Sequence, residues 1–194
     1  MAVLVLPANP APANMGIALI TAKNVLASAF GDGEQELLRK GSRYALTFQM
    51  PPMRYVTSMD WDDLMAEGDT VVMKVHQPGL DTGAPGAPRV NTSGQSGRII
   101  ALKGMAPGYV IRKGQFLSII TQGRRFLYRA ASAALVLENG QANVFLRTML
   151  RFPPADNDVV EIAQPMIEGF VRDLGEWSVG VDRLVGLQFT VRER

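Results

Sequence analysis

Two segments near opposite ends of this chain alternate with a period of two. In residues 43–50, Tyr44, Leu46, Phe48 and Met50 take one parity while Arg43, Ala45, Thr47 and Gln49 take the other. In residues 184–192, Val185, Leu187, Phe189 and Val191 oppose Leu184, Gly186, Gln188, Thr190 and Arg192. A strand sends successive side chains to opposite faces, so each pattern marks a strand with one core face, and the two are expected to share a sheet. Further strands are expected at residues 70–77, 99–103, 115–121, 141–148 and 159–163, and over 124–137, which is long enough to be bent or broken. Turn residues separate nearly all of them. The chain is therefore expected to be mainly β.

One short helix is expected at residues 58–67. Thr57 or Ser58 would accept from its first free N–H groups, Asp60, Asp62 and Asp63 would sit at its positive end, and Gly68 would take the left-handed stop. Trp61, Leu64 and Met65 would then share the face that packs on the sheet. Residues 33–40 are a second, weaker helix candidate.

Residues 78–97 are rich in glycine, proline, serine, threonine and asparagine, a composition that does not continue a ladder. Charge divides the chain at the same place. Residues 98–151 carry nine basic side chains and one acid, Glu138, while the remainder carries eleven basic and seventeen acidic ones; a region near +8 joins a body near −6 within a total of +2. The expected architecture is a split outer module of sandwich or barrel type, residues 1–78 and 154–194, with the short helix. A Gly/Pro-rich loop, 79–97, leads into an inserted basic β-barrel, 98–153, for which an oligonucleotide-binding type of barrel is one option.

Several chemistries find little support. There is no cysteine for a disulfide or a thiolate site. The beginning lacks a basic leader and is interrupted by Pro7, and no apolar run is long enough to span a membrane, so the chain is expected to be made in a cytoplasm and to need no membrane. Asp81, Thr82 and Gly83 match the aspartic-protease triplet, but in a flexible loop rather than after an apolar strand. Asp60, Asp62, Asp63, Glu67 and Asp69 lack the spacing of a calcium loop. His76, the one histidine, has no second ligand and reads as a strand residue with an ordinary hydrogen bond. Residues 94–98 lack the lysine and the helix of a phosphate cradle. No catalytic, cofactor or metal residue is expected.

The basic region offers an interaction surface instead. Arg124, Phe126 and Tyr128 would point one way along a strand and Arg125, Leu127 and Arg129 the other. Together with Arg112 and Lys113 in the preceding turn, this pattern suits either a barrel wall or a single-strand nucleic-acid platform, where arginines follow phosphates and rings stack on bases. For each ring taken alone, a place in the core is the plainer expectation. In a ring of identical subunits the same charge segregation would fix the orientation of neighbours.

The order of motifs carries a resemblance. A strand opened by Lys40, Gly41, Ser42, Arg43 and Tyr44 ends on Met50, Pro51, Pro52 and Met53, and a short segment carrying Trp61 follows. Then come Val90, Asn91, Gly94, Gln95 and Gly97; Lys113, Gly114 and Phe116; the strand of Phe126 and Tyr128; the Glu138, Asn139, Gly140 turn; and Leu150 and Arg151, before closing strands around Trp177 and Phe189. This run resembles the minor tail proteins of long-tailed bacteriophages, placed at the tail tip like distal tail proteins. Pro7, Pro10 and Pro12 depart from that pattern at the start. The resemblance implies a non-enzymatic virion component, assembled in a bacterial host as a sixfold homo-oligomeric ring. That ring would join the tail tube protein to the tail-tip hub protein, with DNA only passing through its lumen. A nucleic-acid-binding β protein is the second expectation and a protease a distant third.

Overall fold

The computed structural model describes residues 3–27, 31, 33–65, 70–176 and 178–194, and they form a mainly β protein of the sandwich and barrel class with one short helical segment. A six-stranded outer sheet runs in the order Val3–Val5, Thr70–Lys74, Met166–Arg172, Gln188–Glu193, Arg43–Gln49, Asn14–Ile20, antiparallel except for its first pair. The two alternating segments do pair: Phe48 lies opposite Phe189, their rings 5.4 Å apart, and Leu46 opposite Val191. The C-terminal run divides, because Leu184–Gly186 joins a small sheet with Met53–Arg54 and Ser178–Val179. That sheet and the helical segment supply Met53, Leu64, Val185 and the fully buried Trp61 to the core of the outer sheet.

The helix differs from expectation. Tyr55–Ser58 is one α turn and Met59–Met65 a 3-10 helix. Three residues per turn align i with i+3 but not i+4, so Trp61 and Leu64 are buried while Met65 is 49% exposed. Glu67, Gly68, Asp69 and Trp177 lie outside the described residues. The second helix candidate is instead a strand, Glu34–Leu38, paired with Lys23–Ala27. A cross-strand ion pair of Lys23 Nζ with Glu36 Oε1, 2.6 Å, and the ladder outweigh the local helix preference of Glu, Gln and Leu.

A second six-stranded sheet, antiparallel throughout, runs Arg124–Arg129, Phe116–Thr121, Val159–Glu161, Gly86–Val90, Ile99–Met105, Ala142–Phe145. Its end strands meet where Ala130 bridges Leu146, with Arg147 N–H donating to Arg129 C=O at 2.9 Å. It thus curls into a barrel of six strands, one more than the oligonucleotide-binding type. Two of these strands lie outside residues 98–153. Gly86–Val90 falls in the stretch read as loop: its Pro88 occupies a register shift between Gly86 and Arg89, the kind of place where a strand tolerates proline, and that composition concealed the strand. Val159–Glu161, assigned to the outer module, pairs with Phe116–Thr121 and Gly86–Val90.

Alternation along the strands places the barrel against the outer sheet. Phe116 and Leu127 enter the outer sheet's core, whereas Leu117, Phe126 and Tyr128 enter the barrel's. The two sheets therefore pack directly on one another.

Candidate functional site

The structure separates the seven candidate interaction residues into three groups. Phe126 and Tyr128 are buried. Phe126 lies 5.2 Å from the Phe152 ring with the Arg151 guanidinium 4.7 Å over its face. The Tyr128 hydroxyl accepts from Arg151 N–H at 3.1 Å, and burial pushes its phenol pKa up. Neither ring is open to a stacking base, so both are core residues and not a nucleic-acid platform. Arg124 is exposed at the end of its strand, and Arg125 turns its Nε to both carboxylate oxygens of Glu161 at 3.3 Å. The third group, Arg112, Lys113 and Arg129, comes together at the junction of the sheets.

That junction is built on two buried carboxylates that sequence reasoning missed. Arg124–Arg129 is an end strand of the barrel sheet, so some of its N–H groups point away from the ladder. Arg125 N–H donates to Glu168 Oε2 at 2.9 Å and Leu127 N–H to Glu193 Oε1 at 2.8 Å. Side chains of the outer sheet thus cover an edge that would otherwise remain unpaired. Glu193 also accepts from Tyr44 N–H at 2.7 Å and pairs with Arg151 at 2.6 Å, and Glu168 pairs with Arg194 at 2.7 Å. Burial pushes the Glu193 carboxyl above its usual range, and the Arg151 guanidinium and the two backbone donors oppose that shift without cancelling it. Part of the charge segregation is thereby used inside one chain. Lys103 with Asp156 at 2.7 Å, which holds the Asp156 carboxyl below its usual range, is a surface instance. A signal for Glu193 was present, since it continues the buried parity of Phe189 and Val191.

Beside this junction lies a cleft of about 480 Å³, lined by residues of both sheets and by no acidic side chain. Arg112 and Lys113 stand exposed on one rim, in a turn closed by Arg112 N–H donating to Gln115 Oε1 at 2.9 Å. Arg129 is held from behind: its Nε donates to Gly114 C=O at 2.7 Å and its guanidinium lies 5.1 Å over the Phe116 ring. Phe116 in turn meets Tyr44 edge-on at 5.6 Å and gives its N–H to Gln77 Oε1 at 2.8 Å. Burial raises the Tyr44 phenol to about 12.

His76 lies just beyond the end of strand Thr70–Lys74 and lines the same cleft. It does not make the ordinary hydrogen bond expected of it, because its buried Nε2 has no partner among the described residues. Burial, with help from Lys74, pulls its pKa below the ordinary imidazole value.

The remaining motif residues are structural. Gln95 fastens the glycine-rich loop by donating to Asn91 and Thr92 carbonyls and accepting from Ala101 N–H at 2.7 Å. Asp81 accepts from Gly83 N–H at 2.9 Å, a local turn on the surface. Among the described residues no three His, Asp or Glu side chains converge on a metal position, and no helix is long and apolar enough to cross a membrane. Neither a scan of protein-family models nor a search of curated proteins finds a match for the chain.

Proposed function

We propose that the protein is a structural subunit of a phage tail tip. Its work is to form a ring, sixfold by the resemblance of its motif order to distal tail proteins, between the tail tube and the hub. The observation that carries this reading is the hairpin of Lys23–Ala27 and Glu34–Leu38. Every residue of both strands is exposed, including Val25, Leu26, Leu37 and Leu38, although the ladder between them is complete. A two-stranded ribbon is marginal by itself in water, and apolar side chains displayed along it favour a partner surface. At its base, in the residues that connect it to the outer sheet, Ala22 N–H donates to Ser42 Oγ and Arg39 N–H to Ala22 C=O. The outer sheet also ends on the open edge strand Asn14–Ile20, which leads directly into the hairpin. A hairpin on one copy and a different surface on the next make the heterologous contact that closes a ring.

Cryo-electron microscopy of particles tests this, supported by native mass spectrometry of the chain with and without tail tube protein. A ring at the tail tip with the hairpin buried between subunits is the expected outcome; a monomer on the capsid exterior would sink the reading. Nucleic-acid binding through stacking loses its two rings to the core and is not carried further.

A further inference from the structure

We infer that the cleft between the two sheets is a binding site for a small carboxylate with an apolar body, and that Arg129 is its anchor. The occupant's charge follows from the lining: Arg112, Lys113 and Arg129 converge on a space that no acidic side chain enters. Arg129 is the preorganised member of the three. Its Nε is committed to Gly114 C=O and its plane rests on Phe116, while no carboxylate among the described residues pairs with it. A guanidinium fixed through one edge retains donors in the fork geometry that matches a planar carboxylate.

The turn beside it is a poor phosphate nest, because three of its four backbone donors are already used: Arg112 N–H on Gln115 Oε1, Gly114 N–H on Ala130 C=O and Gln115 N–H on Arg112 C=O. The rest of the occupant must be carbon, since Met15, Leu80 and Phe116 line the same space. A volume of about 480 Å³ lies within the range of small-ligand pockets. This site does not depend on the ring, and its test is separate from the test of assembly.

The full chain is titrated by calorimetry and by amide NMR with 4-phenylbutyrate, its uncharged amide, and inorganic phosphate. Saturable binding of phenylbutyrate is expected, with shifts at residues 112–116 and 76–77 and affinity at least about tenfold above that of the amide, the scale of one charge-assisted contact. Arg129→Ala should weaken binding about tenfold or more, and Arg129→Lys should recover only part of it. Lys113→Ala, on an exposed turn, should weaken binding about threefold with the fold intact, and decides alone if Arg129→Ala unfolds. Equal affinity for acid and amide, equal affinity for phosphate, or undiminished binding by the Lys113 variant would each overturn the assignment.

Discussion

At the junction of the two sheets, the buried carboxylates of Glu168 and Glu193 are met by backbone N–H groups and arginines; along the hairpin of Lys23–Ala27 and Glu34–Leu38, apolar side chains stand exposed. Both regions contain a strand with an edge to manage. In the first, Glu168 and Glu193 reach across from the neighbouring sheet and take the N–H groups of Arg125 and Leu127. In the second, every residue of both strands stays exposed. An edge completed from within is a rigid joint, whereas an edge and face left open are what a subunit offers to another molecule.

Removing Glu193 should break the first region most severely. Glu193→Ala leaves Arg151 buried without its carboxylate and the N–H groups of Tyr44 and Leu127 without an acceptor, a loss on the order of 3–5 kcal/mol visible in thermal unfolding. Trp61→Ala, remote from the joint but fully buried against Phe189 at 6.0 Å, should cost about as much, on the order of 3–5 kcal/mol. If Trp61→Ala is severe and Glu193→Ala mild, the joint is ordinary packing and the contrast with the hairpin weakens.

The joint also has a pH signature. Because the folded pKa of Glu193 is raised above its ordinary 4.5, the folded state binds more protons than the unfolded one between those two values. The contribution of this group to stability is therefore full below about 4.5 and declines as pH rises through the folded value. Glu193→Gln should remove that slope, which unfolding measured from pH 4 to pH 8 can detect. An unchanged slope would place Glu193 outside the titration.

The hairpin should respond in the opposite sense. Replacing Val25, Leu26, Leu37 and Leu38 with serine should alter the stability of the isolated chain by no more than about 0.5 kcal/mol per site, yet abolish ring formation and infectious particles. Intact assembly by that variant would remove the main support for the ring. The smallest effect belongs to Asp81→Asn, an exposed turn residue, which should leave folding and assembly unchanged and remove no hydrolytic activity. Loss of infectivity there would move attention to its loop.

The strongest local patterns were legible because period-two burial is written directly in the residue order. The pairing of residues 43–50 with the C-terminal strand followed from it, while the break in residues 124–137 followed from that segment's length and the burial of Trp61 from its helical spacing to Leu64. Met166–Arg172, at the centre of the outer sheet, went unread because Glu168 and Gly169 interrupt its apolar run. Both interruptions answer to neighbours: Glu168 takes Arg125 N–H and Arg194, and a Cβ at residue 169 would lie 2.0 Å from Arg192 C=O. Gly86–Val90 was hidden by the proline that its register shift accommodates. Of the seven interaction candidates, sequence could name the arginines but not sort them, since composition does not reveal which side of a strand faces a core.

By itself the sequence determined that the chain would be mainly β, where its alternating strands lie, and that its positive charge is gathered in the middle, because these depend on the order of neighbouring residues and on simple counts. Only the tertiary structure decided that Phe126 and Tyr128 are core, that Glu168 and Glu193 complete a foreign edge, and that Arg112, Lys113, Arg129 and His76 line one cleft. Those outcomes depend on contacts between residues far apart in the chain, where a buried group keeps its charge or its hydrogen bonds only if the partner arrives from another strand.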